Sequence, residues 1–253
     1  INGLDADVVG LMEIENSAVV DGVPDEALGT LADALNAAAG AGTWAYVPSS
    51  TELPAPAQMD VISNAIIYRP AAVQRSGASR ALGTLSQDDQ AFGNAREPIG
   101  QEFVPAGGGD PFLVVVNHLK SKGSAGPWPG DVDTGDGQGA SNESRVRQAT
   151  ALADWVGTIA APDEAVALVG DFNSYTHEDP LRVLDDAGYV DASLTLATGQ
   201  YSYSFDGRSG SLDHVLLNAA ARARATGADV WEINAEESVA LEYSRYDYHG
   251  TLF

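Results

Sequence analysis

Short apolar runs, each bounded by turn-forming residues, recur along the chain and predict β-strands. The predicted strands cover residues 8–12, 44–47, 62–68, 98–104 and 112–117, followed by the segments AVALVGDFN and GSLDHVLLN. The run at 112–117 gives the strongest signal because it is rich in β-branched side chains. Several of these runs end in polar residues, so functional groups are expected at the strand ends.

Apolar residues at helical spacing predict helices between the strands. In PDEALGTLADALNAAAG, Leu28, Leu31 and Leu35 share one face, Asp25 lies at the start and Gly40 ends the helix. A second helix is predicted from residue 143 onwards, with Asn142 as its cap, and EDPLRVLDDAG predicts a short third helix.

The alternation of strands and helices predicts an α/β fold of layered sheets with a site on their edge loops. Neither a repeat nor an interdomain linker is visible, so residues 1–253 are interpreted as a single domain. No uncharged apolar run approaches the roughly 18 residues that span a membrane.

The segment between the fifth predicted strand and the second long helix is rich in Gly, Asp, Ser and Pro and predicts a loop. Its DVDTGDGQG portion contains Asp131, Asp133 and Asp136, which faintly resemble a calcium-binding loop. The spacing misses the EF-hand pattern, and no bidentate Glu follows at position 12. A mobile loop without a ligand is the main interpretation.

The composition is strongly acidic, with 13 Lys plus Arg against 36 Asp plus Glu and a net charge of -23. The average surface therefore repels nucleic acid, although screening beyond about 8 Å leaves local charge to decide binding. The two lysines, Lys120 and Lys122, both follow the run at 112–117, beside His118. They are interpreted either as phosphate-binding groups or as part of a solubilising loop. The chain contains no cysteine, which excludes disulfides and thiolate metal sites.

Four polar clusters stand at the ends of apolar runs: LMEIEN, VNHLKSK, LVGDFNSY and SLDHVLLN. Each is weak when taken alone. In this order, together with NAREPIGQEF and DGQGASNESR, they resemble the endonuclease/exonuclease/phosphatase superfamily, and most closely its large secreted bacterial nucleases. The resemblance covers nearly the whole chain and implies a four-layer sandwich of two mixed β-sheets flanked by helices.

The resemblance also implies the catalytic residues of a metal-dependent phosphodiesterase. It makes Glu13 the metal carboxylate, for Mg²⁺ or alternatively Mn²⁺ or Ca²⁺, with Glu15 as the competing choice. It makes His118 the group that contacts the scissile phosphate. Asp171 then orients or deprotonates the attacking water, and Asn173 stabilises the transition state.

Further positions complete the implied site. Asp213 matches an aspartate that orients a second histidine, whereas His214 is expected on the opposite face of its strand. Arg96 matches a phosphate-contacting arginine, with a surface ion pair to Glu97 as the alternative, and Lys120 is the better lysine for phosphate. Asp60 or Asn64 is a candidate to orient His118.

This chain departs from the family pattern at both ends. The resemblance implies an earlier strand and a later Ser-Asp-His strand, so the chain is expected to be a fragment that lacks the first and last family strands. Asp247 and His249 are not mapped onto the later motif.

The expected function is an extracellular or periplasmic nuclease that acts on DNA, and RNA is the other possible nucleic acid. The alternatives are a phosphomonoesterase or phospholipid phosphodiesterase of the same fold, and a binding module that has lost its catalytic activity.

Overall fold

The computed structural model describes residues 1–205 and 208–231 of the chain. The strands are β1 Val8–Glu15, β2 Ala45–Tyr46, β3 Ile62–Tyr68, β4 Val73–Arg80, β5 Arg96–Pro105, β6 Phe112–His118, β7 Ala165–Asp171, β8 Val190–Asp191, β9 Tyr203–Phe205, β10 Arg208–Gly210 and β11 Asp213–Leu217. The α-helices are α1 Ser17–Val20, α2 Glu26–Ala39, α3 Asn142–Ile159, α4 Asp179–Asp186, α5 Ser193–Leu196 and α6 Ala219–Arg224. No helix of the described residues combines the length and the hydropathy that a membrane crossing requires.

Over the described residues, the strands form two stacked sheets and a separate hairpin. The larger sheet has the order β4-β5-β6-β7-β11-β8, and the smaller has the order β1-β3-β2. The larger sheet is mixed because β6 and β7 run parallel while its other neighbours run antiparallel. The pairings of the smaller sheet are antiparallel, and β9 pairs with β10 as the hairpin.

Three apolar clusters hold the layers together. One joins α2 to the smaller sheet, a second fills the space between the two sheets, and the third packs α3 and α4 on the outer face of the larger sheet. The layer order is therefore helix, sheet, sheet, helix. This arrangement confirms the predicted four-layer sandwich.

Most predicted elements are confirmed, and the differences have local causes. The strand predicted at residues 8–12 continues to Glu15, and the one predicted at 98–104 begins earlier, at Arg96. The strand β4 was missed because one face of VQRSGASR is polar and exposed, which weakens its apolar signal. Ser141, rather than Asn142, occupies the cap position of α3.

The buried face of α3 carries polar residues that the apolar pattern did not indicate. Arg145 and Gln148 are fully buried; Arg145 lies two turns before Leu152, and Gln148 lies two turns before Trp155, on the same side of the helix. This face packs against the loop that follows β6 and is important for the site described below.

Gly170 fixes the close approach of β6 and β7 near the end where both strands stop. Its φ of +134° lies in a region that side chains disfavour. A Cβ at this position would stand 2.0 Å from the backbone oxygen of Asn117. Glycine is therefore required immediately before Asp171.

We expect Gly170→Ala to lower the free energy of unfolding by roughly 3 kcal/mol, because strain at φ is combined with a backbone collision. Urea denaturation followed by circular dichroism measures this change.

The matched control is Gly157→Ala on the exposed side of α3, where an added Cβ meets nothing within 4 Å. That change should leave stability unchanged or raise it by up to about 1 kcal/mol. Equal unfolding midpoints for Gly170→Ala and the unmodified protein would contradict the argument.

Candidate active site

Four of the predicted site residues form one row across adjacent strands of the larger sheet. Arg96 on β5 is paired with His118 on β6, His118 with Asp171 on β7, and Asp171 with Asp213 on β11. Each lies at the terminus of its strand. The row therefore brings a cation, an imidazole and two carboxylates to a single edge of the sheet.

Glu13 reaches this edge from the other sheet through a bulge in β1. Leu11 pairs with Ala65 and Ile14 with Ser63, so two β1 residues face one residue of β3. Glu13 in the bulge has a left-handed φ of 58° and an exposed side chain. Bulges redirect side chains beside active sites, and a strained non-glycine residue is typical of functional positions.

Asn173, two residues further along the chain, holds Asp171 in a defined orientation. The backbone N–H of Asn173 donates to Asp171 Oδ1 at 2.7 Å, and its side-chain Nδ2 donates to Oδ2 at 3.2 Å. Asn173 Nδ2 also donates to the carbonyl of Leu119 at 3.0 Å, which ties β7 to the loop after His118. Asn173 has a left-handed φ of 46°.

Burial, together with the negative charges of Asp213 and Glu13, raises the pKa of Asp171 to about 6. The N–H of Asn173 and the charge of Arg96 act in the opposite direction. The charges of Glu13 and Asp213 thus act on Asp171 at this edge of the sheet. At neutral pH, Asp171 is mostly ionised yet basic enough to accept a proton.

His118 is buried, and its Nε2 lies 3.5 Å from Asp171 Oδ2. Burial and, to a smaller extent, the charge of Arg96 lower its pKa to about 4, while the charge of Asp60 opposes the shift. The imidazole is therefore neutral near pH 7 and suited to donate a hydrogen bond. Its Nδ1 has no hydrogen-bond partner among the described residues.

Neither residue proposed to orient His118 bonds to it. Asp60 faces Arg96 instead, with Oδ2 3.2 Å from Arg96 Nε. Asn64 Nδ2 donates to the backbone oxygen of Glu97 at 3.0 Å. Asp60 therefore acts on His118 through its charge, and Arg96 is held at the row by a carboxylate.

The backbone of Lys120 is clamped by the polar face of α3. Its N–H donates to Gln148 Oε1 at 2.9 Å, and its carbonyl accepts from Arg145 Nη1 at 3.3 Å. Arg145 also donates to the carbonyls of Ala140 and Gln138, each at 2.8 Å. Lys120 thus stands in a fixed place two residues beyond His118, and no ion pair engages its side chain in the described part of the chain.

The side chain of Lys122, by contrast, is engaged in contacts within the protein. Its ammonium forms an ion pair with Glu178, donates to the carbonyl of Gln138 and lies 5.1 Å from the ring centre of Tyr175. These contacts join the loop after β6 to the segment that precedes α4. The two lysines therefore differ in their availability to substrate.

The acidic loop is organised by hydrogen bonds within the protein. Asp131 is fully buried and accepts from the backbone N–H and the hydroxyl of Ser144, each at 2.7 Å. Asp133 and Asp136 accept from backbone N–H groups two residues further on. Each carboxylate therefore serves a turn or a helix start.

His214 faces away from the row, as the strand alternation predicted. It is buried, with Nδ1 2.6 Å from Asp191 Oδ2 and Nε2 2.8 Å from the carbonyl of Ser174. Asp213, its neighbour, is exposed on the site edge. Asp247 and His249 lie outside the described residues.

The donor set at this edge fits a hard divalent cation. No group of three or more His, Cys, Asp or Glu within residues 1–205 and 208–231 is arranged to hold a metal ion. Mg²⁺ does not require such a group, because one or two carboxylates bind it and several waters remain. The exposed Glu13 carboxylate, with Asp171 and Asp213 nearby, supplies oxygen donors of this kind.

The sequence did not lead us to predict that Glu97, Arg145 and Gln148 are buried. The last two continue the spacing of Leu152 and Trp155 towards the start of α3, which was an available signal. Glu97 gave no such signal, because its burial depends on a bulge where β5 meets β6. Burial and the charge of Asp60 raise its pKa to about 7.

A family model described as the Endonuclease/Exonuclease/phosphatase family matches residues 1–235. The chain belongs to this family. Its members are hydrolases of phosphodiester and phosphate bonds and generally depend on a divalent metal. No curated protein matches the chain.

Solved structures share the fold at low identity. The human Nocturnin catalytic domain superposes with a TM-score of 0.57 at 14% identity, covering 87% of this chain and 72% of that one. A Bacteroides thetaiotaomicron mannosyl-6-phosphatase gives 0.54 at 15%, covering 86% and 73%. D. rerio TDP2 in complex with a single-stranded DNA product gives 0.54 at 13%, covering 86% and 72%. At these identities the likeness shows the fold alone.

The raised pKa of Asp171 predicts a distinctive pH dependence of stability in metal-free protein. Between its ordinary pKa of 3.8 and about 6, the folded state retains a proton that the unfolded state has lost. The contribution of Asp171 therefore falls as the pH rises through this window. Relative to the unmodified protein, Asp171→Asn should gain about 2 kcal/mol of unfolding free energy from pH 4 to pH 6.

Denaturant unfolding at stepped pH in the presence of a chelator measures this difference. His118 contributes the opposite trend, since its lowered pKa makes the folded state less stable as the pH falls from 6.5 towards about 4. Because His118 Nε2 lies 3.5 Å from Asp171 Oδ2, the comparison is made on a His118→Asn background, which removes this trend from both proteins. Asp33→Asn, on the exposed side of α2, is the charge-matched control, and parallel curves with and without Asp171→Asn on that background would refute the prediction.

Proposed function

We propose that the protein is a metal-dependent phosphodiesterase, most specifically a nuclease acting on DNA. The observation that supports this proposal is the aligned row of Arg96, His118, Asp171 and Asp213, faced by Glu13 from the second sheet. A phosphoester at this edge would meet a proton acceptor, a neutral donor and a cation together.

In the proposed reaction, water attacks phosphorus as the bond from phosphorus to the leaving ester oxygen breaks, and that oxygen takes up a proton from solvent. Asp171 takes the proton from the water, for which a pKa of about 6 is well suited near neutral pH. His118, neutral at that pH, donates a hydrogen bond to a phosphoryl oxygen, and Arg96 supplies positive charge. A divalent cation held by Glu13 would neutralise charge that develops on the phosphoryl group.

We propose that the main role of Asn173 is to orient Asp171. Both hydrogens of its amide are already engaged, one by Leu119 and one by Asp171. If the hydrogen bond now made to Asp171 were made to a phosphoryl oxygen instead, Asn173 would stabilise the transition state as well. Asp213 is proposed to tune Asp171 through its charge, which raises the pKa of Asp171.

The scarcity of free cations favours one competing function. Arg96 faces Asp60 and Lys122 is paired with Glu178, so Lys120 is the least engaged of the three. A long nucleic-acid track normally uses many basic contacts. The rival is therefore a phosphomonoesterase or phospholipid phosphodiesterase that needs one or two phosphate contacts. The proposed location, extracellular or periplasmic, rests on the resemblance to secreted nucleases.

Cleavage assays with Mg²⁺ separate these functions. We expect plasmid DNA to be cut, a chelator to stop the reaction, and His118→Asn to lower kcat by about 10²- to 10⁴-fold. His177→Asn, which alters an exposed loop histidine, should retain most activity.

Turnover of a small phosphate ester without cleavage of DNA or RNA would favour the rival. Inactivity towards all three substrates would support the reading of a binding module without catalysis. Equal losses in His118→Asn and His177→Asn would contradict the proposed site.

Lys120 generates a second prediction because its backbone is fixed while its ammonium is unpaired among the described residues. Lys120→Met should weaken binding of duplex DNA and reduce the slope of log K against log salt by about 0.9, the share of one phosphate contact. Fluorescence anisotropy on the non-cleaving His118→Asn background measures that slope.

Lys122→Met is the matched control, since Lys122 is engaged by Glu178 and Gln138. It should lower thermal stability and leave the salt slope unchanged. If Lys122→Met, rather than Lys120→Met, reduced the slope, the assignment of the two lysines would be reversed.

A further inference from the structure

A cavity of about 280 Å³ lies between the sheets at the end of β1, beside the row but separate from it. Apolar side chains from both sheets, from α2 and from the segment after β2 form much of its wall; they include Leu28, Val47, Leu53, Met59 and Ile99. Its volume lies at the lower end of the range for small-molecule sites, about 300–1,000 Å³. The cavity therefore has the size and the apolar wall of a site for a small organic ligand.

The charged residues that line this cavity are all acidic. Glu15, Asp25 and Glu97 belong to the wall, and the described lining contains no Lys, Arg or His. Asp25 accepts hydrogen bonds from the backbone and hydroxyl of Ser49, whereas Glu15 and Glu97 have no ion pair in the part of the chain that the structure describes. The electrostatic potential inside is therefore negative, and low-dielectric walls strengthen it.

Two buried acceptor oxygens in this wall have no donor. Glu97 is 4% exposed and Asn64 is 6% exposed. Glu97 Oε1 and Asn64 Oδ1 lack hydrogen-bond partners among the described residues. Asn64 Nδ2 is already committed to the backbone oxygen of Glu97 at 3.0 Å, which leaves Oδ1 as the unused atom of the amide.

The neighbouring guanidinium does not compensate Glu97, because Arg96 Nε faces Asp60 at 3.2 Å. A buried acceptor without a donor destabilises the protein, and a charged one does so more strongly. A cationic donor that entered the cavity would relieve both deficits.

We propose that this cavity binds a small organic cation: a primary ammonium group on a short apolar body. An ammonium group has three donors and no acceptor, which complements Glu97 and Asn64. The apolar body would pack on Leu28, Met59 and their neighbours. A metal ion such as Ca²⁺ fits less well, because it requires six to eight oxygen ligands and the wall is largely apolar.

Calorimetric titration at pH 8 with n-pentylammonium chloride, and separately with pentan-1-ol, tests the proposal. Potassium chloride keeps the ionic strength equal in all titrations. We expect pentylammonium to bind at least tenfold more tightly than pentanol, and Glu97→Gln to abolish that preference. Asp33→Asn removes one negative charge outside the cavity and should leave the preference intact.

Three results would overturn the proposal: no binding of pentylammonium, equal affinity for the ammonium and the alcohol, or unchanged affinity in Glu97→Gln. If Glu97→Gln fails to fold, Leu53→Trp provides the second variant, because it fills the cavity without changing Glu97. Loss of ammonium binding in Leu53→Trp supports the site, and unchanged binding refutes it. Catalysis is not a readout, so the outcome is independent of the proposed function.

Discussion

The parallel pairing of β6 with β7 is the constraint on which the site depends. Parallel strands end at the same edge of a sheet, so His118 and Asp171 arrive there together although many residues separate them. The antiparallel neighbours β5 and β11 begin at that same edge, which adds Arg96 and Asp213. Gly170 keeps the central pair close, since its missing side chain allows contact with the backbone of Asn117.

Much of this arrangement could be predicted from the sequence, because apolar runs that end in polar clusters mark strand ends directly. The strand-end clusters contain Glu13, His118, Asp171, Asn173 and Asp213. The resemblance to the family singled out these residues within the clusters, and their roles remain predictions. The bulges were not predictable, because a bulge is defined by the register of a partner strand that is distant in the chain. The buried polar face of α3 was missed for a related reason: the carbonyls that satisfy it come from a loop.

Burial gives the central residues opposite and complementary properties. It raises the pKa of Asp171 and lowers that of His118, so that a carboxylate with unusual basicity stands beside a neutral imidazole. The largest cause of both shifts is the removal of charged groups from water. At the site, the carboxylates of Glu13, Asp60, Asp171 and Asp213 outnumber the cations Arg96 and Lys120. A divalent cation would offset this excess of negative charge when an anionic substrate binds.

The contacts of Arg145 determine which part of the loop after β6 can vary. One guanidinium contacts the carbonyls of Lys120, Gln138 and Ala140, and so closes the two ends of a long loop on each other. Within this closure, Asp131 and Lys122 anchor the loop to Ser144 and Glu178, whereas residues 132–137 are exposed. Insertions or deletions among these exposed residues would change what the loop presents to solvent while Lys120 stays in place. The exposed part of this loop can therefore vary in length and sequence while the position of Lys120 beside His118 is kept.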